Sequence, residues 1–253
     1  MGKVVDSEIV FLVDVSGSID QTKFNQQRDA YANAFRSADV LEAIQAGCEK
    51  GIAVTMVYWA GRGQQHTAVD WMLIDSQESA NLFADAVSET TAPFSGRTAI
   101  GEAMTHATSL FGTETGNAGN GFESLYQVVN VSSNGVDNAT LPRRRDRELN
   151  VEAARDGALA AGVDMINGIP IVTESPNLDS YYENHVIGGS IQGNAAEVFA
   201  SNGSTDLSGV VKDEILHTIN VGEHTHSVPE PASSSLLALG LVGFVFKRNR
   251  NDK

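Results

Sequence analysis

Asp14-Val15-Ser16-Gly17-Ser18 follows directly on an apolar run, Ile9-Val10-Phe11-Leu12-Val13. The run reads as a buried parallel strand, followed by a tight turn and a helix that begins near Asp20. A carboxylate and two small hydroxyls at alternate positions place three oxygens at the strand's carboxyl end, where open α/β sheets bind ligands. Three hard oxygens with little bulk suit a small hard cation, Mg²⁺ or Mn²⁺. The same five residues also fit a serine-rich turn in which Asp20 caps the next helix.

Two further loops sharpen the choice. The D-x-S-G-S motif resembles the metal-ion-dependent adhesion site (MIDAS) of von Willebrand factor type A domains. That resemblance implies a Thr from a second loop and an acidic residue from a third. Ser95-Gly96-Arg97-Thr98 supplies the Thr, with Ile100, Ala103, Met104, Ala107 and Phe111 behind it at helical spacing. Thr98 is therefore either a ligand or an N-cap. The third loop follows the strand Leu125–Val129, and Asn134 stands before Gly135 where the family usually has Asp. The implied metal set is Asp14, Ser16, Ser18, Thr98 and Asn134, with Asp137 as a further candidate.

The Asn134 departure changes the charge. With Asp14 as the only anion, a divalent ion leaves the site about one charge positive. An amide oxygen attracts Mg²⁺ less than a carboxylate does, so affinity falls while the bound ion becomes more electrophilic toward an incoming carboxylate. Loss of the metal altogether is the alternative. The segments Val57–Gly61, Ile166–Ile171 and Tyr181–Gly189 also look like an uncharacterised bacterial subfamily of these domains, over about residues 7–220.

The elements that must position these loops follow from periodicity. Strands are expected near 8–14, 51–60, 66–74, 124–131, 163–169 and 186–191, and helices near 21–38, 76–88, 99–111, 147–161, 194–200 and 206–219. The alternation predicts an α/β fold: a doubly wound, mostly parallel sheet with helices on both faces, von Willebrand factor A or Rossmann-like. Five residues separate the strands at 51–60 and 66–74, which makes them a hairpin and one of them an antiparallel edge strand.

With 253 residues, 42% of them hydrophobic, the chain can bury one full core. Its net charge of −15 becomes −18 once the basic last seven residues are set aside, a body that repels nucleic acid. Cys48 is the only cysteine, so no internal disulfide forms; its place between a helix and a strand suggests a buried or half-buried thiol. Arg143-Arg144-Arg145 makes a local basic spot, read as a solvated helix entry or as a contact for an acidic partner.

The tail carries an address. Pro229-Glu230-Pro231 precedes a short apolar segment, 232–246, and a basic end, 247–253. Fifteen residues span about 22 Å as a helix, short of the ~30 Å hydrocarbon core. Motif, apolar segment and basic end, in that order, resemble the PEP-CTERM sorting signal. The resemblance implies processing by an exosortase-type enzyme, transient membrane association and an exported, surface or extracellular domain. Residues 1–6 contain no apolar leader and are expected to be a truncated or disordered start, and 221–231 a linker.

Three readings follow. The first is a non-enzymatic binding module whose metal engages a carboxylate on a protein or matrix partner. The second is a metal-free structural component of an extracellular matrix. The third, a hydrolase, needs a second carboxylate where Ser16 stands, and the chain has no G-x-x-x-x-G-K-[ST] or G-x-S-x-G motif. The six histidines are scattered or, as His224 and His226, sit in the linker.

Overall fold

The computed structural model describes residues 2–140, 147–173, 175–203 and 206–222. Seven strands form one sheet: β1 (Lys3–Asp14), β2 (Ile52–Trp59), β3 (Gln65–Ile74), β4 (Phe122–Ser133), β5 (Met165–Pro170), β6 (Gly188–Ile191) and β7 (Asn194–Ala195), in the order β3-β2-β1-β4-β5-β6-β7. Strands β2, β1, β4 and β5 are mutually parallel, and β3 closes one edge antiparallel. The other edge is antiparallel as well, through β6 and β7. The sequence pattern supplied only the first of these two edges.

Helices α1 (Gln21–Arg36), α2 (Ala38–Ala46), α3 (Gln77–Ser88), α4 (Ile100–Thr108), α5 (Arg147–Ala161), α6 (Leu178–Tyr181) and α7 (Leu207–Gly222) cover both faces. Burial on both faces explains the unbroken apolar run of β1. Ile9, Phe11 and Val13 pack with Phe24, Phe35 and Ile215 of α1 and α7, whereas Val10 and Leu12 pack with Ile100, Met104 and Val151 of α4 and α5.

Local chemistry sets the ends. Asp20 caps α1 by accepting hydrogen bonds from the Thr22 and Lys23 amides, and Ser76 caps α3 in a reciprocal box with Ser79. The helix expected over 21–38 stops at Arg36. Both the amide and the hydroxyl of Ser37 bond back to the Ala34 carbonyl, and α2 starts afresh behind it.

Four other expectations are corrected. Residues 194–200 are not a helix: Phe199 donates to the Gly168 carbonyl, Gly168 donates to that of Glu197, and the segment runs along the edge of β5 that β6 leaves open. Residues 3–6 are strand, not disordered, and the Asp6 carboxylate accepts hydrogen bonds from the Glu49 and Gly51 amides. Cys48 is exposed. Of the linker expected over 221–231, Val221 and Gly222 are instead the last two residues of the helix Leu207–Gly222; the remainder, the basic spot at 143–145 and the whole tail lie outside the described residues.

Candidate metal centre

The order of strands locates the site. The sheet winds outward from β1 to β2 and β3, then returns to the opposite side of β1 with β4. Doubly wound sheets open a crevice at such a reversal, outside the carboxyl ends of the flanking strands. Asp14 ends β1, and Ser133 ends β4.

Asp14 is fully buried and organises the first loop. Its Oδ1 accepts the Ser16 amide at 2.6 Å, which turns the chain back over the strand end. The Ser16 and Ser18 hydroxyls then lie 3.2 Å apart. From the third loop the Ser133 hydroxyl donates to Asp14 Oδ2 at 2.6 Å, and the Ser18 hydroxyl donates to Asn134 Oδ1 at 2.7 Å. Asp14, Ser16, Ser18 and Asn134 are therefore one contiguous group of oxygens.

Thr98 reaches the same end of the sheet through its backbone. Gly17 donates to the Gly96 carbonyl at 2.8 Å, and a Cβ at Gly17 would stand 3.3 Å from that oxygen, so the first two loops abut. Thr98 is paired with Asn138 in both directions, amide to side chain and carbonyl to amide. It does not cap α4, since Ala99 holds that position without a side-chain bond. Asp137 is turned elsewhere. Its carboxylate accepts from the Ala139 and Thr140 amides, the Thr140 hydroxyl and the Gly101 amide, tying the third loop to the start of α4.

Burial pushes the Asp14 carboxyl up to about 6, against the hydrogen bonds from Ser133 and Ser16 that favour its charge. The Tyr182 phenol, fully buried, is driven far above its ordinary value by the same desolvation, with the Asp14 charge adding to it. Tyr182 itself packs over β5 at Gly168, where a Cβ would come within 2.3 Å of the ring.

Sequence reasoning missed three neighbours of the motif. Ser133 fixes Asp14, the Gln27 amide donates to the Asp14 carbonyl at 3.1 Å, and Lys23 donates to the Ser18 carbonyl at 2.9 Å. Ser133 adjoins Asn134 and was within reach of the motif; Gln27 and Lys23 arrive from α1 and carry no local signal. A groove of about 350 Å³ opens beside the loops, lined by Ile19, Lys23, Gln27, Asn134, Ile171 and Leu207 among others.

The donor chemistry fits a hard cation. Hydroxyl oxygens of Ser16 and Ser18, the amide oxygen of Asn134 and the carboxylate of Asp14 stand together.

A family model described as a protein of unknown function (DUF1194) matches residues 4–219, and the PEP-CTERM protein-sorting motif matches 227–250. Comparison with curated proteins returns no match. Among solved structures, proximal thread matrix protein 1 from the mussel byssus aligns with a TM-score of 0.57 at 18% identity, covering 85% of this chain and 49% of that one. It has also been solved with a zinc-occupied MIDAS motif. A von Willebrand factor type A protein from Catenulispora acidiphila aligns at 0.54 and 15% identity, over 85% of this chain and 43% of that one. The pilus adhesin SpaC from Lactobacillus rhamnosus GG gives 0.59 and 12%, over 86% and 31%. The chain thus spans half or less of the length of these structures, and they share with it the von Willebrand factor A fold.

Proposed function

This chain belongs to the DUF1194 family, and we propose that it is an exported, non-enzymatic binding module that engages an acidic group on a protein or matrix partner through a divalent cation. Asp14, Ser16, Ser18, Thr98 and Asn134 would hold Mg²⁺ or Mn²⁺. The bound ion would supply an electrophilic position for a partner carboxylate. The observation that carries the reading is the hydrogen-bonded group Asp14–Ser16–Ser18–Asn134 at the reversal point of the sheet.

The chain's own residues define the rest. Asp14 anchors the first loop, and Ser133 holds Asp14 in place. Asp137 acts as a positioning residue by tying the third loop to α4. Ser16 stands where phosphatase-like chemistry needs a second carboxylate. The structural likeness to a byssus matrix protein and a pilus adhesin supports the binding class. The sorting motif supports export, with exosortase-type processing near Pro229-Glu230-Pro231 and transient membrane association through the apolar segment. No helix among the described residues is long and apolar enough to cross a membrane.

Retention on polyglutamate-coated beads tests the reading. The protein should be retained in Mg²⁺ and released by chelator, and Asp14→Ala should not be retained. Equal retention with and without divalent ions would overturn it.

A further inference from the structure

Helix α7 lies on the sheet through a stripe made of Leu207, Val211, Glu214, Ile215, Thr218 and Ile219. Two polar residues one turn apart interrupt that stripe, and both are fully buried. Thr218 is matched: its hydroxyl accepts from the Asn130 amide at 3.1 Å and the Asn167 amide at 3.2 Å, from register neighbours on β4 and β5. Glu214 is not. Its carboxyl oxygens have only the neighbouring Asn130 side chain, short of full hydrogen-bond geometry, and the buried Tyr31 hydroxyl faces them from α1.

Among the described residues no cation compensates the carboxyl. Tyr31 comes from α1, and Asn130, beside the carboxyl, and Ser132, which meets the Tyr31 hydroxyl, come from β4. From β5 comes Asn167, and β1 presents Ile9, Phe11 and Val13. On α2, Asp39 is engaged at the surface with Lys212 at 2.7 Å. His217 of α7 is turned toward Glu197 and Phe199. A carboxylate sealed among neutral groups is destabilised by desolvation, which the Asn130 side chain opposes without outweighing it, and takes up a proton instead.

We propose that Glu214 is carried in the folded protein as a neutral carboxylic acid and that its ionisation unseats α7, making the docking of this helix proton-dependent. The consequence reaches the groove, because Leu207 at the start of α7 lines it together with Asn134.

The sign follows from linkage. In a released helix the carboxyl meets water and titrates at its ordinary value near 4.5; seated, burial holds it well above that value. Seating is therefore complete at low pH. Above the ordinary value it weakens about tenfold per pH unit until the seated acid itself ionises.

Hydrogen–deuterium exchange of the full chain at pH 6, 7 and 8, corrected for the intrinsic exchange rate, reads this directly. Amide protection in 207–222 should fall about tenfold per pH unit in the unsubstituted protein. Glu214→Gln and Glu214→Met should both abolish the fall. A pH-independent α7 in the unsubstituted protein overturns the proposal, whether or not the variants fold. A fall that persists unchanged in either variant overturns it too.

Discussion

Replacing Asn134 by Asp should make the protein less stable without metal and more responsive to it. Asn134 is 3% exposed, accepts the Ser18 hydroxyl at 2.7 Å and adjoins the buried Asp14 carboxylate. An aspartate keeps the Ser18 bond but adds a second negative charge. Two unit charges about 5 Å apart at an effective dielectric of about 20 repel by roughly 3 kcal/mol. For a domain of this size each kcal/mol moves Tm by about 2–4 °C, so Asn134→Asp should melt about 6–12 °C lower in EDTA. A divalent ion relieves that repulsion. If about 3 kcal/mol is returned on binding, the apparent Mg²⁺ affinity tightens about 100-fold. Differential scanning fluorimetry in EDTA and across a MgCl₂ series measures both halves. An unchanged Tm in EDTA, together with a Mg²⁺ response no larger than that of the unsubstituted protein, would refute the placement of a cation beside Asn134.

Asp137→Ala should lower stability by about 2–3 kcal/mol, since it leaves the Ala139, Thr140 and Gly101 amides without their acceptor; urea unfolding checks this. Glu8 is held up to about 7 by burial, from an ordinary 4.5, against hydrogen bonds from Asn120 and Ser124. Its protonated form therefore contributes stability that is full below pH 4.5 and lost as pH rises through 7. Glu8→Gln should gain on the unsubstituted protein by about 2 kcal/mol between pH 4.5 and 8, discounted for solvent screening, by the same unfolding assay. Mass spectrometry of the mature exported protein should find no peptide beyond about Ser235, and an intact Lys247–Lys253 end on the surface form would contradict processing of the tail.

The first loop was legible because its chemistry is local. Asp14, Ser16 and Ser18 sit on five consecutive residues, and the apolar run before them could only be a strand buried on both faces. Thr98 and Asn134 were picked out as candidates through loops of the same kind, each following a strand or opening a helix. What escaped depends on tertiary partners. Residues 194–200 have a composition that allows a helix, but the open edge of β5 offers backbone bonds at Gly168 that win over local preference. The break at Ser37 rests on one hydroxyl choosing the Ala34 carbonyl, and residues 178–186 fold into α6 and a π-turn around Tyr182 because Gly168 leaves room for its ring. Glu8 and Glu214 look like ordinary surface acids in sequence; only the packing of strands and α7 around them shows that they are buried.

Calorimetric titration of the protein with Mg²⁺ and with Mn²⁺, beside the Asp14→Ala variant, tests the central claim most directly. The expected result is a single saturable site for the divalent ion in the unsubstituted protein and none in Asp14→Ala. Absence of binding heat in the unsubstituted protein, or equal affinity in the variant, would contradict a metal-dependent site at Asp14, Ser16, Ser18, Thr98 and Asn134.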